Sequence, residues 1–347
     1  MDLNKVEEIL KEEPAFRLKQ IKKAIFIVLI KNWSEVTTLP QNLRQELSEN
    51  CPLSELKAEK ILSSEDNQTV KALFALKDGL KIESVLMRHI DKRRTICVSS
   101  QVGCPINCKF CATGESGFRR NLLSSEIIEQ VLYFARLLKK DEEKVGDEVY
   151  AVARVTNVVF MCMGEPFLNY DNVLEAVRIL NDKEGFNFGA RHISISTCGI
   201  TEGIERLAKE KLQTNLAISL NAPNNELRTK LMPINEKYPI EKILGAVDNY
   251  IKKTKRRVMF EYLMIDGVND SPIQAKELAK LLKKPLYFVN LISFNPIGHC
   301  RFKPSPGWKI KKFKEVLEKS GLTVTQRYRF GQEIKGACGQ LAGKNNL

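Results

Sequence analysis

From Thr95 onward, short runs rich in β-branched residues alternate with stretches of helical periodicity, and this rhythm narrows the possible architectures sharply. The predicted strands cover 96–99, 157–161, 192–196, 216–220, 258–263 and 287–292. The predicted helices cover 125–139, 172–181, 202–210, 240–253, 273–282 and 309–320. Six strand-then-helix units in series imply an α/β fold with a parallel sheet, either doubly wound or curved into part of a barrel. In either form, functional groups are expected just beyond the strand C-termini.

The first 75 residues follow another pattern. Val6, Ile9 and Leu10, then Ile21, Ala24, Ile25 and Val28, recur at helical spacing, with Pro14 as a break between them. Charges of both signs and no chemical cluster mark this stretch as an accessory domain. The expected division is a helical accessory domain at 1–75, a linking strand segment at 76–89, an α/β core at 90–331 and a tail at 332–347.

Composition excludes several classes. With 43% hydrophobic and 28% charged residues, the chain is neither disordered nor fibrous. Its longest apolar run, 24–30, is far below the ~18–20 residues that span a bilayer, and Asp2, Lys5, Glu7 and Glu8 do not open a signal peptide. A cytoplasmic protein with no membrane partner is expected. Lys plus Arg is 55 against 42 Asp plus Glu, a net charge of +13 that points to nucleic acid as partner. In a reducing compartment, nine cysteines are ligands or catalysts more readily than staples.

Three of them form the sharpest pattern, Cys104-Pro-Ile-Asn-Cys108-Lys-Phe-Cys111, just after the first predicted strand of the core. Structural zinc normally takes four ligands, often as paired C-x2-C knuckles, and a second pair is missing here. An iron–sulfur cubane held by three thiolates keeps one iron open for a non-protein ligand. The C-x3-C-x2-C spacing, with Phe110 before the third cysteine, is the signature of enzymes that place S-adenosylmethionine (SAM) on that open iron. Gly164-Glu165-Pro166 after the second strand can present carbonyls and a carboxylate to the cofactor's amino group. Ser196, and Ser219-Leu220-Asn221 at the next strand ends, are placed for its ribose and carboxylate, and Asn295 for its adenine.

Ser99-Ser100-Gln101-Val102-Gly103-Cys104, Cys111-Ala112-Thr113-Gly114, Met163-Gly164-Glu165-Pro166, Ala217-Ile218-Ser219-Leu220, Met232-Pro233-Ile234-Asn235 and Ala337-Cys338-Gly339-Gln340-Leu341 together resemble the radical SAM RNA methyltransferases that modify an adenine of 23S rRNA. Pro14-Ala15-Phe16-Arg17 with Gln20-Ile21 is similar to that family's helical accessory domain, so the resemblance runs through nearly the whole chain. It implies a partial (βα)6 barrel of the radical SAM type. One branch of the family methylates carbon 2 of an adenine at the peptidyl-transferase centre and the tRNA adenine next to the anticodon; a sister branch, tied to antibiotic resistance, acts at carbon 8. Met163-Gly164-Glu165-Pro166 followed by Phe167-Leu168-Asn169 has the form of the carbon-2 branch. An RNA-binding module with a structural metal is the reading from a different class.

The resemblance also implies roles. Cys104, Cys108 and Cys111 hold a 4Fe–4S cluster. Two SAM molecules are used per turnover: one methylates Cys338, and the other gives a deoxyadenosyl radical that takes a hydrogen from the methylthio group, whose carbon then adds to the base. Cys97 resolves the covalent RNA adduct by a transient disulfide with Cys338, and Glu83 accepts the ring proton. A flavodoxin-like external reductant and a monomeric enzyme belong to the same picture. Cys162 and Cys198 stand where the family usually has small residues, and Asn221 where a histidine is common. Cys51, Cys162, Cys198 and Cys300 read as small hydrophobes or incidental thiols, and His89, His192 and His299 fit no metal or nucleophile arrangement.

The basic excess is uneven. From Gly307 to Leu347, nine basic residues, from Lys309 to Lys344, face three acidic ones, a balance of +6. Arg93 and Arg94 precede the cysteine loop and Arg119 and Arg120 follow it, as expected for phosphate contacts beside a reaction centre. Tyr328 and Phe330 alternate with arginines and can stack on bases.

Overall fold

The computed structural model describes residues 3–142, 154–298 and 300–343, so Asp2, His299 and Lys344 fall outside it. Helices α1 (Leu3–Ile9), α2 (Phe16–Lys23) and α3 (Gln41–Asn50) bury Val6, Ile21, Leu43 and Leu47, and Pro14 lies between the first two as expected. Helix then gives way to β1 (Lys57–Ser63), β2 (Thr69–Ala75) and β3 (Lys81–Arg88), an antiparallel meander continued by β4 (Arg94–Cys97). The helical expectation for residues 51–75 therefore fails. Lys, Glu, Ala and Leu favour helix only weakly, and here the Asp66-Asn67 and Asp78-Gly79 turns win, with Asn67 and Gly79 at positive φ.

The chain continues through β5 (Gln101–Gly103), α4 (Ala112–Glu115), β6 (Phe118–Asn121), α5 (Ser124–Glu142), β7 (Asn157–Phe160), α6 (Tyr170–Asn181), β8 (Ile193–Thr197), α7 (Thr201–Leu207), β9 (Asn215–Ser219), α8 (Asn225–Leu231), α9 (Ile240–Thr254), β10 (Val258–Met264), α10 (Pro272–Leu282), β11 (Tyr287–Ser293), α11 (Gly307–Lys319) and β12 (Thr323–Gln326). All six predicted core strands are present to within a few residues. The unforeseen ones are β12 and the short β5–β6 ladder. A local signal sets the start of α10: Ser271 Oγ accepts from the Gln274 amide at 3.2 Å ahead of Pro272, a capping box.

Among the described residues, β1-β2-β3-β4-β7-β8-β9-β10-β11-β12 form one sheet of ten strands. From β4 to β12 every pairing is parallel and every strand lies beside its predecessor in that order. Period-two alternation gives the strands two different faces. In β8, Ile193 and Ile195 join the buried apolar cluster, while Ser196 opens on a cavity at the strand C-termini. Residues from β8 through β11, and Arg327 just past β12, reach that one cavity, so the sheet curves around it as an open barrel of the α/β type. No described helix is long and apolar enough to cross a membrane.

Candidate active site

The cysteine loop is thrown out by the β5–β6 ladder. Gly103 closes its base at φ +72, where a Cβ would meet the Gly117 carbonyl oxygen at 1.6 Å, so only glycine fits there. The loop returns through α4, and Cys104, Cys108 and Cys111 all line a cavity of about 170 Å³ at the open end of the barrel. Gly164, Glu165, Ser196, Ser219, Asn221 and Cys338 line the same cavity. Residues more than two hundred positions apart in sequence thus meet at the strand ends where the parallel topology placed them.

Gly164 sits at φ +103 with its missing Cβ 2.6 Å from the Gln101 Cβ, which keeps this strand end flush with the cavity wall. Glu165 is buried, and its carboxylate accepts from the Phe167 amide at 3.0 Å and the Cys198 amide at 2.7 Å. Burial nevertheless pushes its pKa up. Asn221, in the left-handed region at φ 61, accepts from the Leu263 amide at 2.9 Å, so it ties β9 to β10 at the cavity rim. Leu220 is fully buried and contributes backbone only, its amide donating to the Glu261 carbonyl at 3.0 Å.

Besides Leu220, three of the expected site residues, Cys97, Asn295 and Glu83, stand apart from the main cavity. Asn295 lines a smaller neighbouring space with Cys97 and Cys338, and its Nδ2 donates to the Cys338 carbonyl at 3.2 Å. Glu83 lies on β3, 2% exposed, with one carboxylate oxygen 2.9 Å from Lys71 Nζ. Its other oxygen accepts from the Ala342 and Gly343 amides at 2.7 and 3.1 Å. All nine cysteines are free. Cys162, read as incidental, donates to the Cys97 carbonyl at 3.2 Å and lines the main cavity, as Cys198 does. Cys51 is buried beneath the N-terminal helices, where its carbonyl accepts from Trp33 Nε1, and Cys300 sits at the surface of the Lys109 turn.

Several contributors escaped the sequence reading. Glu261, on β10, accepts at Oε2 from Ser196 Oγ at 2.6 Å and Ser219 Oγ at 3.3 Å, while Oε1 faces Arg327 at 3.5 Å. Its signal was visible: one carboxylate inside the apolar run Val258-Met259-Phe260-Glu261-Tyr262-Leu263-Met264. Arg327 belongs to both cavities, and the negative charge of a Cys338 thiolate and of the Glu261 carboxylate holds its pKa up. Arg228 is fully buried and donates to the Leu220 and Tyr238 carbonyls, to Asn235 Oδ1 at 2.8 Å and to the Cys198 carbonyl, fastening the loops after β8 and β9. Nothing in the sequence marks it.

The donor set suits a cluster better than a single ion. Among the described residues no three His, Cys, Asp or Glu side chains are grouped to share one metal ion. A cubane distributes its thiolates over different irons and so needs wider spacing. Burial also pushes the Cys104 thiol up to about 12 and Cys108 well up, so these sulfurs become thiolates only against strong local positive charge such as iron.

The basic flank is thinner than the charge count implied. Arg120 is spent internally, 2.6 Å from Asp78 and 2.8 Å from Glu126, and Arg93 pairs with Asp91 at 2.8 Å. Arg119 is exposed, and Tyr328, 63% exposed, stacks edge-on against Phe330 at 5.0 Å.

Residues 98–282 match the Radical SAM superfamily. A probable dual-specificity RNA methyltransferase RlmN of Chloroflexus aurantiacus is 44% identical across 100% of this chain and 92% of its own length. The protein of the same description from Dictyoglomus thermophilum is 46% identical across 98% of this chain and 94% of its own. In structure, a radical SAM methyltransferase from Sphaerobacter thermophilus superposes with a TM-score of 0.92 at 42% identity, covering 99% of this chain and 98% of that one. With that similarity running end to end, the chain belongs to the radical SAM RNA methyltransferases of the RlmN type.

Proposed function

We propose that this enzyme methylates carbon 2 of an adenine in 23S rRNA and of the tRNA adenine next to the anticodon, through a methyl group carried on Cys338. The observation that carries the reading is the placement of Cys338 in the wall of the cavity shared by Cys104, Cys108 and Cys111. The dual specificity in the names of full-length relatives supports the substrate pair.

Cys104, Cys108 and Cys111 would hold the 4Fe–4S cluster, with Gly164, Glu165, Ser196, Ser219, Leu220, Asn221 and Asn295 around SAM. When bound, this pair supplies the deoxyadenosyl radical needed because an adenine ring carbon is electrophilic and does not attack a sulfonium methyl. The chain's own residues do the rest. The Cys338 sulfur takes a methyl from a first SAM and presents it to the base, Glu83 receives the proton leaving the ring carbon, and Cys97, on the same small cavity, displaces the product by pairing with Cys338. Two SAM molecules are consumed per turnover, with electrons from a flavodoxin-like donor, in a monomeric cytoplasmic enzyme. The N-terminal helices and the exposed tail cations bind RNA.

The test is mass spectrometry of nucleosides from RNA treated with the reconstituted enzyme. The expected product is 2-methyladenosine from both RNAs; 8-methyladenosine, or protein that carries zinc without iron and sulfide, overturns the reading. Cys338→Ala is expected to abolish transfer with the cluster intact, and Cys97→Ala to leave RNA covalently attached. Normal turnover by either variant removes the two-cysteine scheme.

A further inference from the structure

The loop that carries Cys338 is fastened at both ends by one buried charge pair. Lys71 lies in the middle of β2, 2% exposed, among Val70, Ala72, Leu73 and Phe74. The β2–β3 register sets Lys71 opposite Val85 and Leu73 opposite Glu83, so Lys71 and Glu83 are diagonal neighbours across the ladder. Lys71 Nζ stands 2.9 Å from Glu83 Oε1 and donates to the Lys335 carbonyl at 3.1 Å, ahead of Cys338 in the chain. Glu83 Oε2 accepts the amides of Ala342 and Gly343, after it. An ammonium and a carboxylate so deeply buried persist only when each is paired and hydrogen-bonded. Two of these partners are the ends of the Cys338 loop.

We infer that Lys71 is a positioning residue for the methyl carrier: its pair with Glu83 latches the loop shut over the cavity, and a shut loop and a free Glu83 carboxylate exclude each other. The inference rests on the roles proposed above for Cys338 and Glu83 and adds an order to them. With the loop shut, Cys338 faces the cofactor cavity and both oxygens of Glu83 are engaged, so methyl loading belongs to this state. Opening frees the two tail amides from Glu83 Oε2 and turns that oxygen into a proton acceptor as Cys338 moves toward RNA. The Ala112 amide, bonded to the Gly339 carbonyl at 2.8 Å, holds the middle of the loop apart from the latch, whereas Thr113 Oγ1, bonded to the Leu341 carbonyl at 2.7 Å, grips the same peptide unit whose amide Glu83 accepts.

Hydrogen exchange of the tail peptide covering 335–343, followed in reconstituted full-length enzyme without RNA, tests the latch. Lys71→Met is expected to raise exchange at both loop ends roughly tenfold, the cost of losing about one charge-assisted hydrogen bond. It should also slow methylation of Cys338 by SAM, read from the peptide mass, while iron content stays that of the wild type; Lys71→Arg should restore both. Ala342→Pro removes one tail amide and leaves the buried pair intact, so it loosens the same peptide even where Lys71→Met fails to fold. Wild-type exchange in a folded Lys71→Met overturns the latch, and so does wild-type exchange in Ala342→Pro where Lys71→Met fails to fold. Absence of methyl from wild-type Cys338 overturns the proposed route instead, because the exchange contrast does not depend on it.

Discussion

At the scale of single residues, the site depends on positions where only one side chain satisfies the local physics. Gly164 is one. Gly164→Ala would drive a Cβ into Gln101, with two side-chain carbons and the backbone nitrogen all at 2.6–2.8 Å, at a φ that disfavours any L residue. We expect a loss of about 1–3 kcal/mol in denaturant unfolding and a loss of SAM binding by equilibrium dialysis. Glu261 is another. Glu261→Gln keeps an acceptor for Ser196 and Ser219 but removes the charge that faces Arg327. Weaker SAM binding by roughly tenfold, with the fold retained by circular dichroism, is the expected outcome. The two neighbouring arginines should separate cleanly: Arg119→Gln should weaken RNA binding in a filter assay without changing stability, whereas Arg120→Gln should lower the melting temperature by breaking the Asp78 and Glu126 pairs.

At the scale of elements, strand order does most of the assembly. Parallel strands laid down in sequence bring β8, β9 and β10 side by side, and this gathers Ser196, Ser219 and Glu261 into one network. Arg228 on α8 then locks the loops that follow β8 and β9 to each other. Its guanidinium is fully buried with several carbonyl acceptors, so Arg228→Met leaves those buried carbonyls without this donor. The expected cost is about 1–3 kcal/mol for each carbonyl left unpaired, read by urea denaturation, accompanied by poor iron incorporation because Cys198 lines the cavity wall. Unchanged stability would show that the loops hold without it.

At the scale of the whole molecule, net charge governs encounter and the cavity governs chemistry. With +13 on the chain, affinity for RNA should fall at least tenfold between about 50 and 200 mM salt, while binding of SAM, a small ligand with few charges, should change much less. Parallel titrations of both ligands check this, and a salt-independent RNA affinity would contradict it.

Much of this was legible in the chain itself. The six core strands, the helices between them and the Cys104–Cys108–Cys111 loop are local patterns, set by side-chain period and short spacing, and the structure keeps them. So are the glycines at Gly103 and Gly164, although the clash that a Cβ would make there, with the Gly117 carbonyl and with Gln101, shows only in the fold. The meander at 57–88 carried its own signal in Asp66-Asn67 and Asp78-Gly79, masked by the helix-favouring residues around those turns. What no local pattern contains is register. Lys71 meets Glu83 only because β2 and β3 pair with Leu73 opposite Glu83, and Arg120 is lost to RNA only because Asp78 and Glu126 fold beside it. Sequence by itself determined which chemistry the chain carries, since the residue types and their short spacings encode it. Tertiary structure alone decided which charges are spent inside and which side chains share a cavity, because those outcomes depend on distances between residues the sequence keeps far apart.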